Sequence, residues 1–367
     1  MSKSKIKINV RPFNLKLEYP FGISRGSMDS AKNVLITITY GDVTAYGESA
    51  PSSYYGESQD SVINFIQSFL KYKSPEEYVT NIQKLKDDLN NFSSSLNPLG
   101  LSYAAKVGLE IAFWDLIGKI NNRSLYQYLF YEDPFVVLND DYENIPQTSF
   151  TVGLDNLLVI EEKVQKAIKA GHRILKIKLG KGEEADINIL ETVHKATKNL
   201  NCILRVDANG GWNLETTKKM LDILPKYKVE LLEQPLPKGQ AYLLSEIYNS
   251  SPIPIFVDED CMVGNDIESV LGKVHGINIK LMKAGSVIEA VNMIKLARGY
   301  NLKVMLGCMI ESSCSISAAA HLAPMADYVD LDGHLLLAND PFSGLMFVNN
   351  KVIPSLEPGL GVQMSDN

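Results

Sequence analysis

From Lys5 to about Ala50 the chain alternates polar and apolar positions in two runs, KIKINVRPFNLKLEY and NVLITITYGDVTAYGESA. That period of two is the mark of half-buried antiparallel strands, and Gly41-Asp42 predicts the hairpin turn inside the second run. Between the runs PFGISRGSMDS, rich in Gly and Ser, reads as a loop, and APSSYYGES at 50–58 reads as a second one. The period then becomes helical over about 59–72, 76–93 and 100–121. The last of these, LSYAAKVGLEIAFWDLIGKI, is apolar enough to face a core, with Trp114 as a packing residue. Strands followed by helices describe an α+β domain.

Beyond it the pattern changes again. A barrel is expected to begin near Pro134 and Ser149 with SFTVGLD, followed by ILKIKLG, LRVDANGGW, ELLEQPLP, IPIFVDED, GINIKLMKAG, LKVMLGCMIESSCSIS and DYVDLDGHLLLANDPF. Most are short apolar runs with charged ends, as buried parallel strands look when only their carboxyl ends meet solvent. Lys178 to Asp207 is 29 residues, Asp207 to Glu233 is 26 and Glu233 to Asp258 is 25. Each interval holds one strand, one helix and two loops, so successive strands deliver one charged group each to the same barrel end. Helices are expected around 240–250 and 265–274.

Three converging carboxylates raise one another's pKa values unless a divalent cation relieves them. Asp207, Glu233 and Asp258, with no Cys or His among them, favour Mg2+ over zinc, with Mn2+ an acceptable substitute. Lys176 and Lys178 sit two apart and share one strand face. Flanked by Ile174, Leu175, Ile177 and Leu179, they belong to a buried strand, and paired ammonium groups are expected to bring one lysine down toward about 7 to 8. Asp330 and Asp332 share a face at the tip of an eighth strand, although Asp beside Gly333 is equally common turn chemistry.

Composition sets the outer limits. The chain has 367 residues, 45% hydrophobic and 22% charged, enough for a barrel and a smaller domain. A formal charge of −7 offers no basic face to nucleic acid, and no run of about 18 apolar residues would span a membrane. MSKSKIKINV has no apolar signal core and reads as mature sequence. Cys202, Cys261, Cys308 and Cys314 lack metal spacing and fit reduced thiols in a cytoplasm. The barrel type accommodates a homo-oligomer, but no interface is legible.

The KxK pair, the DAN near Trp212, EQP, DED and INIKLMKAG together resemble the enolase superfamily, in its muconate-lactonizing-enzyme-like subgroup, over nearly the whole chain. The resemblance implies a modified (β/α)7β TIM barrel over 126–341 and an α+β capping domain from 1–125 completed by about 342–367. It implies one Mg2+ on Asp207, Glu233 and Asp258, with Lys178 and Lys280 as an acid/base pair on opposite faces of the substrate and Lys176 near the developing charge. Lys280 follows Asp258 by 22 residues, shorter than usual in the family, which predicts a trimmed connection. Lys283 is the alternative, but only Lys280 shares a face with Asn278.

Within the subgroup, DLDG at strand eight resembles the dipeptide epimerases, in which Asp330 and Asp332 would hold the α-ammonium group of a dipeptide. One lysine would remove the α-proton next to the carboxylate and the other return it from the far side, inverting the carbon through a metal-stabilised enediolate. Arg25 in the first capping loop would read a second carboxylate, as alanyl-glutamate epimerases do, and Thr151 would bond the substrate amide. An N-acylamino acid racemase or an o-succinylbenzoate synthase or cycloisomerase would use the same lysines and metal without needing Asp330 and Asp332. An acid-sugar dehydratase would want a His at strand seven, which VMLGCMIE lacks. A metal-dependent binding protein would have no use for two opposed lysines.

Overall fold

The structure, a computed structural model, describes residues 5–96, 102–130 and 144–365. The barrel start expected near Pro134 lies outside them. Strands β1 (Lys7–Ile23), β2 (Gly26–Tyr40) and β3 (Val43–Ser49) form an antiparallel sheet in that order. Gly41 opens the two-residue turn between β2 and β3 at φ +60°, a conformation that glycine adopts without steric cost.

The first difference from the sequence reading lies in PFGISRGSMDS. Instead of a loop, Phe21, Gly22 and Ile23 pair with Met28, Ser27 and Gly26, so the segment is the tip of a long hairpin with only Ser24 and Arg25 in its turn. Glycine makes this tip fit. A side chain on Gly22 would meet the Leu154 carbonyl at 2.2 Å, and Gly26 takes φ +153°. The hairpin therefore lies directly on the barrel, where the Leu154 N–H donates to the Gly22 carbonyl at 2.8 Å.

The cap continues through α1 (Gln59–Tyr72), α2 (Ile82–Ser95), α3 (Tyr103–Asn121) and α4 (Leu125–Phe130). Ser58 caps α1 with a reciprocal capping box, which fixes its start where the periodicity places it. α2 begins later than expected because Pro75–Val79 forms a separate 3-10 turn and Asn81 caps the helix. α3 is buried from Ala104 to Gly118 and packs against both the sheet and the barrel.

The barrel strands are β4 (Phe150–Val152), β5 (Ile174–Lys178), β6 (Ile203–Asp207), β7 (Val229–Glu233), β8 (Ile255–Val257), β9 (Gly276–Lys280), β10 (Lys303–Gly307) and β11 (Tyr328–Asp330). All are parallel and neighbours in sequence order, and a bridge from Thr148 to Val329 brings the two edges together. Helices α5 (Leu157–Lys169), α6 (Glu183–Thr197), α7 (Leu214–Ile223), α8 (Ile267–Val270), α9 (Leu281–Ala284), α10 (Val287–Gly299) and α11 (Ser313–Ala320) fill the connections. The helix expected at 240–250 is instead two short 3-10 turns, and α8 has only four residues, the trimmed connection that the Asp258–Lys280 interval predicts.

Four short strands end the described chain: β12 (Phe342–Ser343), β13 (Met346–Val348), β14 (Lys351–Ile353) and β15 (Gln363–Met364). Asn349 and Asn350, both at positive φ, make the turn between β13 and β14. Phe342 meets the rings of Phe13 and Tyr46 in the cap, while the Asn350 carbonyl accepts from the Thr148 N–H below β4. The tail thus returns to the cap and also closes the amino-terminal end of the barrel. Among the described residues no helix is long and apolar enough to cross a membrane, and all four cysteines are free.

Candidate active site

Strand pleating decides which side chains enter the barrel mouth. In β5, Leu175 and Ile177 point to the helices, so Lys176 and Lys178 point inward. Parallel register then sets their neighbours level: Lys178 beside Asp207, Asp207 beside Glu233, and Lys280 and Asp330 on either side of Gly307. Asp258 sits just beyond β8. Gly307 is required here because a side chain would strike the Asn278 amide at 2.5 Å, and that amide donates to Glu233 Oε1 at 2.7 Å.

These strands bring seven of the expected residues into one buried ring. Lys176 Nζ lies 2.6 Å from Asp330 Oδ2, 2.7 Å from Glu233 Oε2 and 3.3 Å from Asp207 Oδ2. Lys178 Nζ lies 2.6 Å from Asp207 Oδ2, and Lys280 Nζ 2.7 Å from Asp258 Oδ2. The two lysines therefore approach from opposite sides of the carboxylate group. Lys283, completely buried, binds Asp258 Oδ1 at 2.6 Å and three backbone carbonyls, so it braces the loop and does not face the mouth.

The electrostatics correct one expectation. Burial disfavours the Lys280 ammonium, but Asp258 and Glu233 outweigh both burial and Lys176, and its pKa rises. Lys176 is likewise raised well above its ordinary value, by Asp330, Glu233 and Asp207 against burial. The expected lowering through the Lys176–Lys178 pair is thus not seen at Lys176, because three carboxylates within 3.3 Å of its Nζ outweigh burial. Among the acids, burial and then Asp207 push Glu233 up to about 7, while Lys280 and Lys283 overcome burial and hold Asp258 far below the carboxylate range.

The strand-eight pair is asymmetric. Asp330 accepts from Ser149 Oγ at 2.5 Å and binds Lys176, which holds its pKa at about 2 against burial. Asp332 accepts from the Thr151 N–H at 2.5 Å, and burial together with Asp330 pushes it up to about 7. A further cation would relieve that cost. Thr151 thus meets the site at Asp332, and its N–H already has a partner there.

Over the mouth, Ser52 caps the 3-10 turn Ser53–Tyr55 of the second loop, presenting Tyr54 and Tyr55. Arg25, at the hairpin tip, does not stand free: Nη2 binds Glu259 Oε1 at 2.8 Å, Nη1 donates to the Asn209 carbonyl at 2.7 Å, and the guanidinium lies 4.1 Å from the Tyr54 ring centroid. A cavity of about 440 Å³ connects these cap residues with Lys176, Lys178, Lys280, Asp330 and Asp332. A larger, more open groove of about 540 Å³ between the hairpin tip and α6 contains none of these groups.

Several contributors escaped the sequence reading. Gln234, at φ +38°, accepts through Oε1 from the N–H groups of both Asp258 and Glu259, which aims the DED loop. Glu48 on β3 accepts from Ser312 and Asn33 and so ties the cap to the loop carrying Met309 and Ile310. The EQP motif was the available signal for Gln234. Nothing local marks Glu48.

Among the described residues no three His, Cys, Asp or Glu side chains are gathered tightly enough to hold a metal ion. The donor chemistry nonetheless fits a hard divalent cation: Asp207, Glu233 and Asp258 are buried oxygen donors, each already drawn to an ammonium group, and Asn209 Oδ1 beside them is buried without a hydrogen bond.

Residues 5–129 match the mandelate racemase / muconate lactonizing enzyme N-terminal domain, and residues 159–367 match the enolase C-terminal domain-like family. The chain is 35% identical over 362 residues to a hydrophobic dipeptide epimerase of Roseobacter litoralis, covering 98% of this chain and 99% of that one. It is 36% identical over 360 residues to an L-Ala-D/L-Glu epimerase of Bacteroides thetaiotaomicron, covering 98% and 88%. A crystal structure of a dipeptide epimerase from Enterococcus faecalis, complexed with Mg and L-Leu-L-Tyr, superposes with a TM-score of 0.86 at 30% identity, over 98% of this chain and 99% of that chain.

Proposed function

Since the chain belongs to the mandelate racemase / muconate lactonizing enzyme family of the enolase superfamily, we propose that it is a Mg2+-dependent dipeptide epimerase. It inverts the α-carbon of the carboxy-terminal residue, with L-Ala-D/L-Glu among the dipeptides it serves. The observation that carries the reading is the placement of Lys178 and Lys280 on strands either side of those that bring in Asp207, Glu233 and Asp258, each lysine paired with a different acid of that buried cluster, combined with full-length similarity to dipeptide epimerases.

In this reading 1–125, completed by about 342–367, cap a barrel of 126–341. Asp207, Glu233 and Asp258 would hold the metal, which when bound would supply positive charge that makes the α-proton next to a carboxylate more acidic. One of Lys178 and Lys280 takes that proton as the neutral amine, and the other delivers one to the opposite face as the ammonium. Lys176 keeps its charge and faces the oxygens on which negative charge grows. Asp332, with Asp330, receives the substrate's ammonium group, and Thr151 lines the approach of the peptide amide.

The acid pair favours a dipeptide over an N-acyl amino acid, since an acyl cap offers no cation to Asp332. The remaining expectations follow: a cytoplasmic enzyme with no nucleic-acid partner, able to form a homo-oligomer. Incubating L,L-dipeptides with enzyme and Mg2+ in D2O and following the α-proton signal by NMR tests the reading. Conversion to L,D products that stops with EDTA and resumes with Mg2+ is expected. Turnover of N-acyl amino acids alone would overturn the dipeptide assignment.

A further inference from the structure

We infer that Glu259 is a specificity-determining residue: it competes with an acidic substrate side chain for Arg25 and so sets how strongly acidic dipeptides are preferred over neutral ones. The inference rests on the dipeptide-epimerase reading and refines its side-chain subsite. With the reacting carbon between Lys178 and Lys280, its carboxylate toward Asp207, Glu233 and Asp258 and its amide toward Asp332, the side chain has one direction left, toward the cap. There Arg25, Tyr54 and Ile23 line the cavity.

Among the described residues Arg25 is the one guanidinium lining this cavity, and the protein already uses it. Both Nη atoms are engaged, one by Glu259 at 2.8 Å and one by the Asn209 carbonyl at 2.7 Å, and Tyr54 covers a face. Glu259 is fixed: it is 1% exposed, and its N–H is held by Gln234 Oε1 at 3.0 Å. Its second oxygen, Oε2, is buried and makes no hydrogen bond. Arg25 is the accessible partner, with 34% of its side chain exposed at the tip of a two-residue turn. A glutamate side chain entering the subsite must share the guanidinium with a second, buried carboxylate, whereas a neutral side chain meets an already neutralised pair. Glu259 thus weakens discrimination in favour of acidic residues and admits neutral ones.

The test compares kcat/KM for L-Ala-L-Glu and its isostere L-Ala-L-Gln, with Mg2+, in wild type, Glu259→Gln, Arg25→Gln and the double variant. Glu259→Gln is expected to raise the Glu/Gln ratio about tenfold or more, a shift of about 1.4 kcal/mol, and the double variant to lose that gain. Should Glu259→Gln fail to unfold cooperatively, Glu259→Asp carries the same test through a smaller rise in the ratio, since its carboxylate is drawn back from Nη2. A ratio unmoved by either change, or one that rises equally without Arg25, overturns the inference. Exchange of neither dipeptide by wild type would instead sink the epimerase reading itself.

Discussion

The barrel mouth and the hairpin that leans over it both present charged groups to the same cavity, but they position them by different physics. Lys178, Asp207 and Glu233 are held by strand pleat and by the backbone register of neighbouring parallel strands. Arg25 is held by a turn of two residues and by its contacts with Glu259, Asn209 and Tyr54. The first arrangement moves only if the barrel moves. The second can be re-aimed by a single partner, which suits chemistry to the barrel and selectivity to the cap.

Breaking the barrel side should give the largest effect. Lys178→Ala or Lys280→Ala removes a proton-transfer group, and epimerisation of every dipeptide is expected to fall by about 10²–10⁴-fold without loss of folding, as measured by NMR and circular dichroism. Asp332→Asn should be smaller and specific: KM for dipeptides rises by about 10- to 100-fold, the value of a hydrogen bond to a charged group, while kcat changes little. A kcat loss with unchanged KM would move Asp332 from binding to chemistry.

On the cap side, Gly22→Ala pushes a methyl group against the Leu154 carbonyl. It should cost about 1–3 kcal/mol in thermal stability and alter the ranking of dipeptides more than the rate of the best one. Unchanged stability would show that the tip does not rest on the barrel as described. The smallest effect tests the seam between the two regions. Burial pushes Glu48 up to about 7, so the folded chain keeps a proton that the unfolded chain has released. The stability from that proton is complete below about 4.3, the ordinary glutamate value, and is lost as pH rises through 7. Wild type should therefore lose more Tm between pH 5 and pH 8 than Glu48→Gln, a difference that thermal unfolding at the two values reads directly.

The same contrast explains what the sequence disclosed. Lys176, Lys178, Asp207, Glu233 and Asp258 were legible as one group at the barrel end because a buried strand has one pattern and the recurring interval of strand and helix repeats it, whereas Lys280, at a shorter interval, was legible only through the family resemblance. The hairpin at 21–28 was not, since Gly and Ser mark loops and strand tips alike, and only its contact with Leu154 separates them. The segment at 240–250 carries a helical pattern yet forms 3-10 turns. Glu259 stood in view within DED, but its pairing with Arg25 spans 234 residues and has no local signal. The direction of the Lys176 shift was missed for a related reason: the sequence shows a neighbouring lysine, and the fold surrounds Lys176 with three carboxylates.

The central claim is that Lys178 and Lys280 serve opposite faces of one carbon. The most direct test is α-proton exchange in D2O by each single alanine variant, starting separately from the L,L and the L,D dipeptide with Mg2+ present. The account predicts that neither variant epimerises and that each still exchanges one epimer, a different one for each lysine. Exchange of both epimers by one variant, or loss of the same epimer in both, would contradict it.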